Sequence, residues 1–221
     1  MTRICALCLL LALGRGAQAF PTSLNLIPTA DLLEPGSVRM ELENDGAPSL
    51  FASGAESYLL LQYASSSRLE VGLDLYAVGE SNRPLLNAKW LLLAEEKRRP
   101  VLALGLMELG PGCSPTGYLV GAKDLGPRFR GHLGAGLCDE RSALLWGGEW
   151  QLGEKDYLLM DWTTWSSGYL SLGLYHEAQP GFGLNLAYAW PNDRSESGLL
   201  ILNVSRSFPL RRLPAIDSSG R

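Results

Sequence analysis

Charged residues make up only 19% of this 221-residue chain, against about 25% in an ordinary soluble domain. No stretch gathers Lys and Arg densely enough to neutralise a phosphate backbone, which excludes nucleic acid as a partner. Disorder is excluded as well, because it requires low hydrophobicity and high net charge, whereas the chain is 46% hydrophobic with a formal net charge of -4. Long apolar runs are missing too. Beyond the first 19 residues none approaches the ~20 residues that a spanning helix needs, so a membrane protein with this sequence must be a closed barrel. Chemistry-bearing spacings are equally scarce: there is no CxxC or HExxH to mark zinc and no GxSxG elbow. The only imidazoles are His132 and His176. The expectation is no metal and no cofactor.

The N-terminus reads as a secretory signal peptide over residues 1–19. Arg3 supplies the positive region, Ile4 to Leu13 the apolar core, and Ala17-Gln18-Ala19 a small-x-small cleavage site before Phe20. Residues 20–37 are expected to be a periplasmic lead-in, 38–208 the main domain, and the polar, proline-containing stretch 209–221 a flexible C-terminal tail.

Within the main domain the dominant period is two. Leu69, Val71, Leu73 and Leu75 alternate with Glu70, Gly72 and Asp74, and the same pattern returns at Leu170, Leu172, Leu174 and at Phe182, Leu184, Leu186. Breaks at turn residues divide it into twelve candidate strands, near 38–44, 56–64, 68–78, 86–95, 100–109, 116–123, 128–138, 143–152, 155–164, 168–177, 181–190 and 198–208. Most are about ten residues long, which suits tilted membrane strands (~9–11 residues) better than soluble sheets (~5–6). Links after even strands are short and links after odd strands mostly longer, as in barrels with short periplasmic turns and longer outer loops. The sequence therefore predicts an all-β fold, an antiparallel up-and-down transmembrane β-barrel of about twelve strands in a bacterial outer membrane.

Face assignments follow from the same period. Tyr63, Phe129, Trp150, Phe182 and Phe208 fall on the outward parity near the periplasmic ends, and Tyr118, Trp162 and Trp190 near the outer ends, forming two aromatic girdles. The inward parity is polar or small, with Glu70, Asp74, Lys89, Arg128, Arg130, His132 and Glu149 expected to line the lumen. A soluble β-sandwich that binds a ligand would show the same alternation strand by strand and stays open as an alternative. Of the mature cysteines, Cys113 and Cys138 are placed on one rim, where an oxidising compartment permits a disulfide.

The stretch Leu26-Ile27-Pro28-Thr29-Ala30-Asp31-Leu32-Leu33-Glu34-Pro35-Gly36 resembles the opening of bacterial outer-membrane barrels of the YjbH type, where an IPTA…PG segment precedes the first strand. The resemblance implies a porin-like, Gram-negative envelope protein associated with exopolysaccharide production. Taken with the thin enzyme signals, the leading expectation is a non-enzymatic barrel: a narrow transport pore or an accessory of envelope or exopolysaccharide export. Its expected partners are outer-membrane lipid, the barrel assembly machinery, and polysaccharide or small solutes. An outer-membrane lipid-modifying enzyme, a lipase or acyltransferase using His132 or His176, is the alternative.

Overall fold

The computed structural model describes residues 23–46, 56–78, 84–111, 114–139 and 141–210. Twelve strands follow one another without an intervening helix among the described residues: β1 (Ser37–Gly46), β2 (Glu56–Ala64), β3 (Leu69–Val78), β4 (Leu85–Leu93), β5 (Val101–Leu109), β6 (Thr116–Gly126), β7 (Phe129–Cys138), β8 (Arg141–Gln151), β9 (Asp156–Thr163), β10 (Tyr169–Gln179), β11 (Phe182–Pro191) and β12 (Leu199–Pro209). Each pairs antiparallel with its sequence neighbours, and β1 pairs with β12 to close the barrel. Closure leaves no free sheet edge, which is the condition for placing backbone in hydrocarbon. It also removes the soluble sandwich.

Register converts the period of two into two surfaces. Along β10, Leu170, Leu172 and Leu174 are exposed on the outside at 40%, 39% and 57%, while the intervening Ser171 is wholly buried inside. Facing them on β11, Leu184 and Leu186 are exposed and Asn185 is buried. A slip of one residue would bring leucine into the lumen and asparagine into lipid, so the apolar exterior fixes the register. Tyr63, Phe129, Trp150, Trp162 and Trp190 are exposed, and Phe182 and Phe208 half-exposed. Phe129 and Trp150 meet edge to face, 6.2 Å between centroids, in the geometry that aromatic quadrupoles favour. Tyr118 departs from the girdle expected of it. It is 6% exposed and points inward, its ring lying over Gly105, directly opposite on β5. The missing side chain at Gly105 makes the room.

The end of the barrel that carries both termini has tight turns. Between β6 and β7 only Pro127 and Arg128 intervene, and the β10–β11 turn uses Gly181 at φ 73°, a conformation costly for any residue with a Cβ. The links at the other end are mostly longer, with the exception of β7–β8, where Cys138 already pairs with Arg141. Residues 1–22 and 211–221, and with them the signal-peptide expectation and nearly all of the tail, lie outside the described residues.

Candidate functional site

The segment expected to wait in the periplasm runs inside the barrel instead. Residues 23–36 enter the lumen, turn back on themselves through a Ser23–Pro28 bridge and a Leu24 N–H to Ile27 carbonyl bond of 3.0 Å, and leave for β1. The exit bend is at Gly36, φ 79°, whose N–H donates to Ala64 and whose carbonyl accepts from Leu210. The physical reason is apolar burial. Leu24, Ile27 and Ala30 recur every third residue and form one cluster with Val101, Ala103, Tyr118, Val120, Ala122, Leu145 and Leu159. Each large side chain buried in this way contributes about 1.5–3 kcal/mol. Gly147 is part of the fit, since a Cβ there would run into Leu24 and come within 3.1 Å of Ile27.

Polar contacts set the depth and rotation of this plug. Asp161, fully buried on β9, accepts the backbone N–H of Leu26 at 2.8 Å and of Ile27 at 3.4 Å, so the buried carboxylate is stabilised by donors that the turn leaves unused. Asn25 donates to Ser171 Oγ at 2.9 Å and to the Leu159 carbonyl at 3.4 Å, and accepts from Asn185 at 3.0 Å. Nearer the exit, the Leu33 N–H donates to Glu70 at 2.9 Å and Lys89 donates to the Asp31 carbonyl at 3.0 Å. Lys89 Nζ also stands 3.7 Å from Glu70.

At the mouth with the short turns, Arg130 grips Asp31 with two parallel bonds, Nε–Oδ2 3.0 Å and Nη2–Oδ1 2.7 Å, and uses Nη1 for Glu95 at 2.6 Å and Asp124 at 2.7 Å. The guanidinium fork suits this bidentate hold. Glu95, in the β4–β5 turn, also accepts from Lys123 at 2.9 Å and from the Asp124 N–H at 3.1 Å. Partial desolvation works to raise its carboxyl; the bonds from Arg130, Lys123 and Asp124 outweigh it and hold the group down at about 2.

Among the residues expected in the lumen, Glu70, Lys89, His132 and Glu149 are buried there, and Asp74 is half-buried with Asn87 donating to it at 2.6 Å. Arg130 reaches from the wall to the plug. Arg128 stands apart, exposed in the β6–β7 turn at the mouth. His132 Nε2 lies 2.8 Å from Glu149 Oε1, and His176 Nδ1 lies 2.8 Å from Asp156 on the exposed surface. The hydrogen-bond partner of each imidazole is thus a carboxylate, and among the described residues neither has a serine hydroxyl as a partner. Cys113 lies outside the described residues; Cys138 Sγ donates to the Ser114 carbonyl at 3.8 Å.

Cavities border the plug. One of about 580 Å³ opens at the short-turn mouth against Asp31, Arg128, Arg130, Glu149 and Tyr157. Another, about 330 Å³, lies between the plug and the wall of β1 to β6, against Glu43, Asp45, Asp74, Asn87, Lys89 and Glu108. Asn25 and Asp31 escaped the sequence reading as site residues. The available signal was that β5 and β6 are apolar on both faces, which asks for an apolar partner inside.

No protein-family model and no curated protein matches the chain. Solved structures do resemble it in fold. A KdgM porin aligns with a TM-score of 0.56 at 10% identity over 78% of this chain and 99% of its own. A NanC porin aligns at 0.55 and 8% identity over 78% and 100%. An outer membrane channel from Pseudomonas putida F1 aligns at 0.50 and 10% identity over 86% and 100%. With the apolar belt and closed even-stranded wall described above, the fold is that of a bacterial outer-membrane barrel, and that membrane is where the chain resides.

Proposed function

We propose that the chain is a non-enzymatic outer-membrane channel of small bore whose own N-terminal segment is a resident plug. The carrying observation is the placement of residues 23–36 within the lumen, clasped on one side and bordered on the other by a charged cavity of about 330 Å³. Twelve strands lie between the eight that side chains alone fill and the sixteen or more that enclose an open aqueous channel. A folded-in segment closes that intermediate bore. The permeation route is the cavity side, where Glu43, Asp74 and Lys89 offer a polar wall and no apolar cluster has to part.

In this reading the solutes are hydrophilic and small, and the wider role is as an accessory of envelope or exopolysaccharide export. Support for a sugar polymer comes from two directions: the likeness of the N-terminal segment to YjbH-type barrels, and the fold shared with a KdgM porin solved in complex with disordered oligogalacturonate. The barrel assembly machinery and outer-membrane lipid are its remaining expected partners. The test is planar-bilayer recording of the mature chain, with flux of neutral and acidic oligosaccharides measured in the same preparation. Low, intermittent conductance with saccharide-dependent flicker is expected. Sustained porin-like conductance would overturn the plug, and saccharide indifference would remove the polysaccharide role while leaving the channel.

A further inference from the structure

We infer that Asp31, His132 and Glu149 form a binding site for a divalent transition-metal ion at the contact between plug and wall. One ligand atom from each lies within 4.8 Å of the other two. A tetrahedral ion with bonds of about 2.0–2.2 Å holds its ligand atoms roughly 3.3–3.5 Å apart, so the three close on a common centre by side-chain adjustments of about an ångström. The donor set, one imidazole and two carboxylates, is the mixed nitrogen and oxygen set that suits zinc and its neighbours better than calcium or magnesium, which take oxygen alone.

Three further observations point the same way. The first is sharing. Asp31, Glu95 and Asp124 all lean on one guanidinium, Arg130, and the ion-pair partner of Glu149 is the His132 imidazole, so an ion between Asp31 and Glu149 adds positive charge where carboxylates crowd together. The second is that His132 is not pinned. Its side chain is fully buried, Nε2 meets Glu149, and Nδ1 has no hydrogen-bond partner among the described residues, so no second hydrogen bond fixes its tautomer. The third is orientation and access. Arg130 holds Asp31 by both oxygens, the outer support that metal-bound carboxylates receive, while each oxygen keeps a second lone pair. The cavity of about 580 Å³ at the mouth reaches both Asp31 and Glu149 and provides the path in.

Sequence spacing could not reveal such a site, because its members stand at positions 31, 132 and 149, on the plug, β7 and β8, and only closure of the plug brings them together. An ion there would fasten the plug to the wall beside the Arg130 latch.

The test uses the untagged mature chain folded in detergent micelles, titrated with Zn²⁺ against a chromophoric chelator and separately with Co²⁺, whose visible absorption reports its coordination. One equivalent of Zn²⁺ and a tetrahedral Co²⁺ spectrum are expected, with Mg²⁺ and Ca²⁺ failing to compete at equal concentration. His132→Gln and Glu149→Gln, checked for folding by heat-modifiable gel migration, should each weaken Zn²⁺ binding at least tenfold, and His176→Gln should leave it unchanged. Absence of saturable binding to the folded wild-type chain would overturn the site. So would binding lost in His176→Gln and kept in His132→Gln. Neither readout depends on conductance.

Discussion

The two halves of the lumen hold the same segment by different physics. On the side of β5, β6, β8 and β9 the wall is largely apolar, and Val101, Ala103, Val120, Leu145 and Leu159 form one buried cluster with Leu24 and Ile27. On the side of β1 to β4 the wall is charged, and a cavity separates much of it from the plug; the Leu33–Glu70 and Lys89–Asp31 bonds span the gap near the exit. Burial is non-directional and roughly proportional to area, whereas a charged wall keeps its hydration unless every group finds a partner. A barrel can thus be closed along one flank and leave a wet passage along the other.

The largest effect is expected where the latch is cut. Arg130→Ala strands Asp31, Glu95 and Asp124 without their common partner; the network is only partly buried, but four charge-assisted bonds go at once, each worth about 1.5–3 kcal/mol at most, so a combined loss of about 3–5 kcal/mol is expected. Urea unfolding in lipid should show that loss together with a more open channel; an unchanged midpoint would make the Arg130 contacts incidental. Ile27→Ala attacks the apolar flank. Truncating a fully buried isoleucine costs about 2–5 kcal/mol, read here as longer open times in bilayer recordings with the strand content unchanged by circular dichroism.

Asn87→Ala makes the matching change on the charged flank. It removes the bonds to Asp74 and to the Glu108 N–H, but water in the adjacent cavity can replace them, so about 1 kcal/mol or less is expected. Equal penalties for Ile27→Ala and Asn87→Ala would erase the distinction between the flanks. The smallest effect is one of pH. Because the folded-state carboxyl of Glu95 titrates at about 2, below the ordinary value near 4.3, its stabilisation is complete above that ordinary value. It is lost as pH falls through about 2. The groups facing it are Arg130, Lys123 and the Asp124 N–H. Unfolding midpoints followed from pH 5 to pH 2 should decline in the wild type more than in Glu95→Gln.

How much of this was legible in the sequence follows the same divide. The lipid-facing surface repeats every second residue, and each outward Leu of β10 and β11 could be placed without knowing its neighbour, because lipid is the same solvent at every strand. The lumen has no such uniform solvent. Val101 and Val120 point inward against an inward parity expected to be polar or small, since their partner is a segment some seventy or more residues earlier in the chain. That segment has no alternation to announce it; Leu24, Ile27, Ala30 and Leu33 recur every third residue within a turn-rich stretch whose prolines and glycine read equally well as a lead-in. Tyr118 failed for a related reason, as both faces of β6 are apolar and only Gly105 across the pair decides which one the ring takes.

The claim that most of this rests on is the position of residue 27. In a chain lacking other thiols, with Cys5, Cys8, Cys113 and Cys138 replaced by serine, a single cysteine at Ile27 can be challenged with a membrane-impermeant maleimide in intact outer-membrane vesicles and after their permeabilisation, alongside a cysteine at the exposed turn residue Ser67. Labelling at position 67 after permeabilisation, with position 27 protected from both sides until the barrel is unfolded, is the predicted result. Labelling of position 27 as fast as position 67 would put the segment outside the lumen and contradict the account.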